Sequence, residues 1–209
     1  MTDPLDPRTR ALFLPAFLAP EIADAFVRTL WNDLQAGRLS VRTHKENLLR
    51  KNAIEVHGSN YAPLLALHWG LTPLASRILD TELLPSLIFF RIYFAGDICR
   101  IHDDRSASQV NLSLTLATGG QQPWALCVGT RYPAGPERPA DDFGDEAYER
   151  YPMGTGDALL YLGAKRRHGR PEPNPNRWSA HVFLSWVERE GPHRDEAFEL
   201  LNLGPLPGF

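Results

Sequence analysis

His102 and Asp104 stand one residue apart in "DICRIHDDRSASQ" (97–109), which follows "LIFFRIYF" (87–94), an apolar run that reads as a buried strand. Side chains at i and i+2 of a strand share a face, so His102 and Asp104 point one way and Asp103 the other. An imidazole and a carboxylate on one face are two of the three ligands of the 2-His-1-carboxylate facial triad, a donor set that leaves open positions on Fe(II). The third ligand has to be a histidine from a later strand. His168 meets that need at the end of "MGTGDALLYLGAKRRHGR" (153–170), where a Gly-Asp turn and an apolar strand carry the chain out of the core. Nine residues on, Arg177 opens "RWSAHVFLSWV" (177–187), in which Arg177, Ser179 and His181 fall on one face. A guanidinium with a neighbouring hydroxyl can grip a carboxylate through a bidentate pair plus one further hydrogen bond.

Each of these residues also has a plainer reading. His102 and Asp104 form a surface hydrogen-bonded pair if the strand simply ends there, and His168 follows "KRR" as part of a solvated basic turn. Arg177 has an acidic partner within reach in Glu172, and Tyr93 and Trp124 suit core packing as well as a pocket wall. His181 is an alternative third ligand, but no arginine then follows on a matching strand. Arg105 suits a salt bridge with Asp103, whose face it shares, or a substrate carboxylate. Asp157 is the acid of a tight turn.

The elements that must position these residues are legible in outline. From Pro20 the pattern is helical, with Ile22, Phe26, Val27, Leu30, Trp31 and Leu34 on one stripe until Gly37. A second helical stretch is expected near 60–69. A third follows with Thr72 as its cap and Pro73 at its first position. After Leu84 the chain turns to short runs rich in β-branched and aromatic residues: 86–94, 110–116, 124–128, 157–162 and 179–187. The Pro-, Gly- and charge-rich segment 131–153 reads as a surface loop with a helical turn near 145–150. Helices followed by closely spaced strands predict a mainly β fold with supporting helices, a helix-backed antiparallel sandwich or barrel. The 209 residues read as a single domain, with 1–84 as helical amino-terminal support and 85–190 as the β core.

Composition narrows the function classes. With 22 basic against 25 acidic residues the net charge is −3, so no global positive field draws in nucleic acid or anionic lipid. The two cysteines, Cys99 and Cys127, form no CxxC pair and imply neither a disulfide framework nor a thiolate zinc site. The apolar run "ALFLPAFLAP" (11–20) is too short to span a bilayer and carries two prolines. A cytoplasmic protein with no membrane or nucleic-acid partner is expected, its oligomeric state open.

The order and spacing of these residues, over roughly 87–187, resemble the Fe(II)- and 2-oxoglutarate-dependent dioxygenases, in particular their prolyl-hydroxylase-like branch. The resemblance implies a double-stranded β-helix (jelly-roll, cupin-like) in which His102, Asp104 and His168 hold Fe(II). It implies that Arg177 and Ser179 bind the distal carboxylate of 2-oxoglutarate, with Tyr93 touching the same co-substrate. Cys99 departs from the pattern, standing where many prolyl hydroxylases have a second tyrosine. The implied activity consumes O2 and 2-oxoglutarate, yields succinate and CO2, and hydroxylates an unactivated C–H bond, with desaturation or ring closure as variants. Asp104 argues against the halogenating relatives, which lack that carboxylate. Phe183 stands where nucleic-acid demethylases of the AlkB type carry a second arginine, and Jumonji-type demethylases use lysine in place of Arg177. The expected substrate is a small molecule such as an amino acid or biosynthetic intermediate. The alternatives are a peptidyl residue and, from another class, a non-catalytic jelly-roll binding module.

Overall fold

A computed structural model describes residues 11–44, 47–132 and 137–198. In chain order the elements are β1 (Leu12–Leu14), α1 (Pro20–Gln35), β2 (Arg42–His44), β3 (Ala53–His57), α2 (Ala62–Leu79), β4 (Leu83–Phe94) and β5 (Cys99–His102). There follow β6 (Val110–Thr118), β7 (Trp124–Gly129), β8 (Tyr148–Met153), β9 (Ala158–Tyr161), β10 (His168–Arg170) and β11 (Trp178–Glu188). They form a seven-stranded sheet, β1-β9-β6-β11-β4-β3-β2, and a four-stranded sheet, β5-β10-β7-β8, antiparallel throughout. This is the expected jelly roll.

Strand periodicity divides the larger sheet into two faces. Ile88, Phe90 and Ile92 of β4 and Ala180, Val182, Leu184 and Trp186 of β11 pack under the helices, against Leu30 of α1 and Leu64, Ala75 and Leu79 of α2. Burying an aliphatic side chain of this size contributes roughly 1.5–3 kcal/mol. The alternate residues, Leu87, Phe89, Arg91 and Tyr93 of β4 and Phe183 and Ser185 of β11, turn to the other face and line a cavity. No helix among the described residues is long and apolar enough to cross a membrane.

Four sequence expectations need correcting. The stretches near 60–69 and after Thr72 are one continuous helix, α2, with Pro73 inside it. Thr72 is not a cap. Its hydroxyl donates back to the His68 carbonyl at 2.8 Å and accepts Trp186 Nε1–H at 2.9 Å, so the helix is pinned to the sheet where proline removes one N–H. The turn expected near 145–150 is extended instead: β8 pairs with β7 from Trp124↔Met153 to Gly129↔Tyr148. As the edge strand of its sheet β8 tolerates Pro152. The amino-terminal stretch is not helical support alone, since β1, β2 and β3 all join the larger sheet. On α1, Ala23 and Leu30 are buried while Ile22 and Trp31 are exposed, because they sit at the two margins of the stripe.

His68 makes the packing of α2 sensitive to acid. Its Nε2 lies 2.9 Å from the Ser185 carbonyl and its ring meets Trp186 edge-on. Burial pushes its pKa from 6.5 down to about 4, against the smaller opposing effect of that carbonyl. The unfolded chain therefore takes up a proton between these values that the folded chain refuses. Stability is highest above pH 6.5 and falls as the pH drops toward 4, by on the order of 3 kcal/mol from this group. Urea unfolding at pH 7 and pH 4.5 should show a smaller loss in His68→Gln than in the unaltered protein.

Candidate metal centre

β5 and β10 bring two histidines opposite one another. His168 pairs with His102 and Arg170 with Cys99, so two steps along β10 match three along β5. The extra residue is a β-bulge. It explains how Cys99 and His102, three apart, both line the cavity. The bulged backbone presses onto Gly169, where a Cβ would meet the Cys99 and Arg100 carbonyl oxygens at 2.7 Å. Only glycine fits there.

The rings are fixed by the same device. His102 Nδ1 lies 2.7 Å from the Arg100 carbonyl and His168 Nδ1 lies 2.9 Å from the Arg166 carbonyl. A carbonyl only accepts, so both Nδ1 atoms carry the proton and both Nε2 atoms are left as donors of a lone pair to a metal. Nε2 of His102 is 3.5 Å from one oxygen of Asp104, and Nε2 of His168 is 3.4 Å from the other. One ligand atom from each residue lies within 4.8 Å of the others. Asp104 is seated by its own N–H, which donates to the Gly163 carbonyl at 3.0 Å, and by the Asn111 amide, which donates to Oδ2. A side chain at Gly163 would collide with both Asn111 and Asp104. Asn111 is held in turn by Ser185, whose hydroxyl donates to Oδ1 at 2.7 Å.

The electrostatics fit a cation. Burial alone would raise the Asp104 carboxyl, but His168 and His102 outweigh it and hold its pKa far below the usual range. Burial works to lower His168, and Asp104 reverses this, so its pKa is raised. Two imidazoles and one carboxylate converge with their proton-bearing nitrogens tied back, the donor set that suits non-haem Fe(II) with open positions. Asp103 lies apart from the three ligand groups, its Oδ1 accepting the Glu137 N–H at 3.2 Å.

The cavity beside this cluster has a volume of about 610 Å³. Tyr93 is on its wall, with its hydroxyl accepting Arg91 Nη1–H at 3.1 Å. The structure does not bring Arg177 or Ser179 to it. Arg177 is exposed and its Nε–H donates to the Gly119 carbonyl at 3.2 Å, because the chain leaves the sheet before Trp178. Ser179 is fully buried and donates to Asn174 Oδ1 at 2.9 Å, tying down the loop before β11. Glu172 pairs with Arg150 at 2.7 Å. The run before His168 is not a solvated turn, since Arg166 and Arg167 are buried, with Arg167 3.3 Å from both Glu137 and Glu146. Two cavity cations escaped sequence reasoning. Arg91 forms a buried ion pair with Glu55. Arg170 shares the inward face of β10 with His168 and lines the cavity. Burial lowers the Arg170 pKa, with Tyr93 and Cys99 opposing.

No protein-family model matches this chain, and no curated protein matches it. Solved structures do. A prolyl-4-hydroxylase from Pseudomonas putida is similar over 87% of this chain and 93% of its own, at 16% identity and a TM-score of 0.58. HygX from Streptomyces hygroscopicus, with nickel, 2-oxoglutarate and hygromycin B bound, covers 89% and 85% at 12% identity and a TM-score of 0.64. The epimerase SnoN of nogalamycin biosynthesis, in complex with Fe3+, alpha ketoglutarate and nogalamycin RO, covers 97% and 88% at 13% identity and 0.65. The chain shares their fold.

Calorimetric titration with Ni(II) separates the roles of neighbouring residues. Asn111→Leu removes a partner of a ligand and should weaken binding roughly 10- to 100-fold. Asp104→Ala should weaken it further, and Asp103→Ala should leave it nearly unchanged. Equal losses in Asp103→Ala and Asp104→Ala would sink this assignment of the ligands.

Proposed function

We propose that this protein is an Fe(II)- and 2-oxoglutarate-dependent oxygenase that oxidises, by hydroxylation as the default outcome, an unactivated C–H bond of a small molecule. The observation that carries this reading is the convergence of His102, Asp104 and His168, with both Nδ1 atoms anchored and both Nε2 atoms turned to one point. These residues would hold the iron. When bound, iron and 2-oxoglutarate supply oxidising chemistry that consumes O2 and releases succinate and CO2.

The chain's own residues do the rest. The two histidines and Asp104 would hold the ion, and Asn111 keeps the carboxylate from swinging away. Leu87, Phe89 and Phe183 give the cavity an apolar wall that limits water around the reacting C–H bond. Phe89 and Phe183 stack in that wall with ring centroids 4.8 Å apart. Its volume of about 610 Å³ falls in the range of small-molecule sites. HygX holds hygromycin B and SnoN holds nogalamycin RO on the same fold, which supports a small molecule as the substrate class.

Anaerobic addition of Fe(II) and 2-oxoglutarate should give a weak visible charge-transfer absorption. In air, succinate should form, faster with the true substrate in a panel of amino acids, small acids and peptides. Folded protein that gives neither band nor succinate would be a binding module. Stimulation by peptides alone would move the substrate class to a peptidyl residue.

A further inference from the structure

We infer that Arg170, on the strand of the distal histidine, anchors the far carboxylate of the co-substrate, the role that the resemblance gave to Arg177. This rests on the oxygenase reading above.

Arg170 is 1% exposed, yet it lines the cavity. Its partners are all neutral. One Nη–H donates to the Trp124 carbonyl, the other nitrogen lies 3.7 Å from Met153 Sδ and 3.4 Å from His181 Nδ1, and the guanidinium sits 4.8 Å above the Trp124 ring. Among the described residues no carboxylate forms an ion pair with it. Arg91, equally deep, is answered by Glu55. A buried charge without a partner is expensive, and folds that keep one supply the counter-charge in another way. Here it comes with the ligand.

A second group points to the same place. An arginine only donates, so His181 Nδ1 accepts, and the proton of this neutral imidazole is on Nε2. Buried Nε2 has no hydrogen-bond partner among the described residues. A cavity cation thus rests against a buried imidazole that carries an orphaned N–H.

The spacing suits a short diacid. His168 and Arg170 are on one face of β10, about 6.5 Å apart along the strand. A five-carbon 2-oxo diacid whose 2-oxo acid end sits beside the His102, Asp104 and His168 cluster carries its other carboxylate a comparable distance away. Arg177, outside the cavity with its Nε–H on a carbonyl, has no such reach.

The test is anaerobic calorimetry on Ni(II)-loaded protein with 2-oxoglutarate and with 2-oxopentanoate, which has a methyl group where the far carboxylate would be. The unaltered protein should prefer 2-oxoglutarate roughly ten- to a hundredfold. Arg170→Met should lose that preference while binding 2-oxopentanoate as before, Arg170→Lys should keep part of it, and Arg177→Ala should keep all of it. A ratio of two affinities is insensitive to partial unfolding. Arg170→Met that weakens both acids equally, or that keeps the preference, overturns the assignment, as does loss of preference in Arg177→Ala. Unaltered protein that binds 2-oxopentanoate as tightly as 2-oxoglutarate overturns it too, with the oxygenase reading intact. Metal-loaded protein that binds neither acid removes that reading and this inference with it.

Discussion

One extra residue in β5, pressed against a glycine of β10, governs which side chains reach the cavity. In a regular strand Cys99 and His102 would face opposite ways. The bulge turns both inward and still leaves His102 opposite His168 in the ladder. The contact is backbone on backbone, since Gly169 has no Cβ to hold the Cys99 and Arg100 carbonyls away. Those carbonyls are not idle. Arg100 is the residue whose oxygen fixes the His102 ring, so the bulge that aims the ligand also sets its tautomer.

Three of the charge arrangements around the cavity differ in how they are balanced. Asp104 lies between two imidazoles and is stabilised as an anion by both. Arg91 and Glu55 face each other across β4 and β3 and cancel locally. Arg170 has only neutral partners among the described residues. Two of these close on themselves, while the third is complete only with an anion added. In the low dielectric of a buried site such an asymmetry is a selection rule for what enters, since like charge is excluded as strongly as opposite charge is drawn in.

How far the sequence carried depends on which physical rule each feature obeys. His102, Asp104 and His168 were legible because strand period and chain order are sequence properties; the element pattern reached only a helix-backed antiparallel sandwich or barrel, and the jelly roll came with the resemblance. Arg177 was placed by the same period. The face was right, but the sheet begins at Trp178, and one residue beyond its end the side chain answers to the loop. Arg170 was hidden for the opposite reason: β10 is only three residues long, too short to show a period, and "KRRHGR" reads as a basic run. The bulge has no sequence signature except Gly169, whose meaning appears only when Cys99 and Arg100 are laid against it. β8 was missed because proline and charge suggested a loop, which is also the composition of a short edge strand.

The polar interior of the cavity is tolerable because the opposite face of the same strands is mostly apolar. On β11, Val182, Leu184 and Trp186 are fully buried under the helices while Phe183 and Ser185 face the site. On β4, Ile88 and Phe90 do the same beneath Phe89 and Arg91. Each strand thus contributes stability from one row of side chains and chemistry from the other. A polar change on the inner row leaves the helix-facing core intact. That separation lets a cation stand on the inner row of one strand or of another without disturbing the sheets. In this chain Arg177, where a carboxylate grip was expected, turns to the Gly119 carbonyl and Ser179 to Asn174, and the inner row of β10 presents Arg170 to the cavity, two residues from His168.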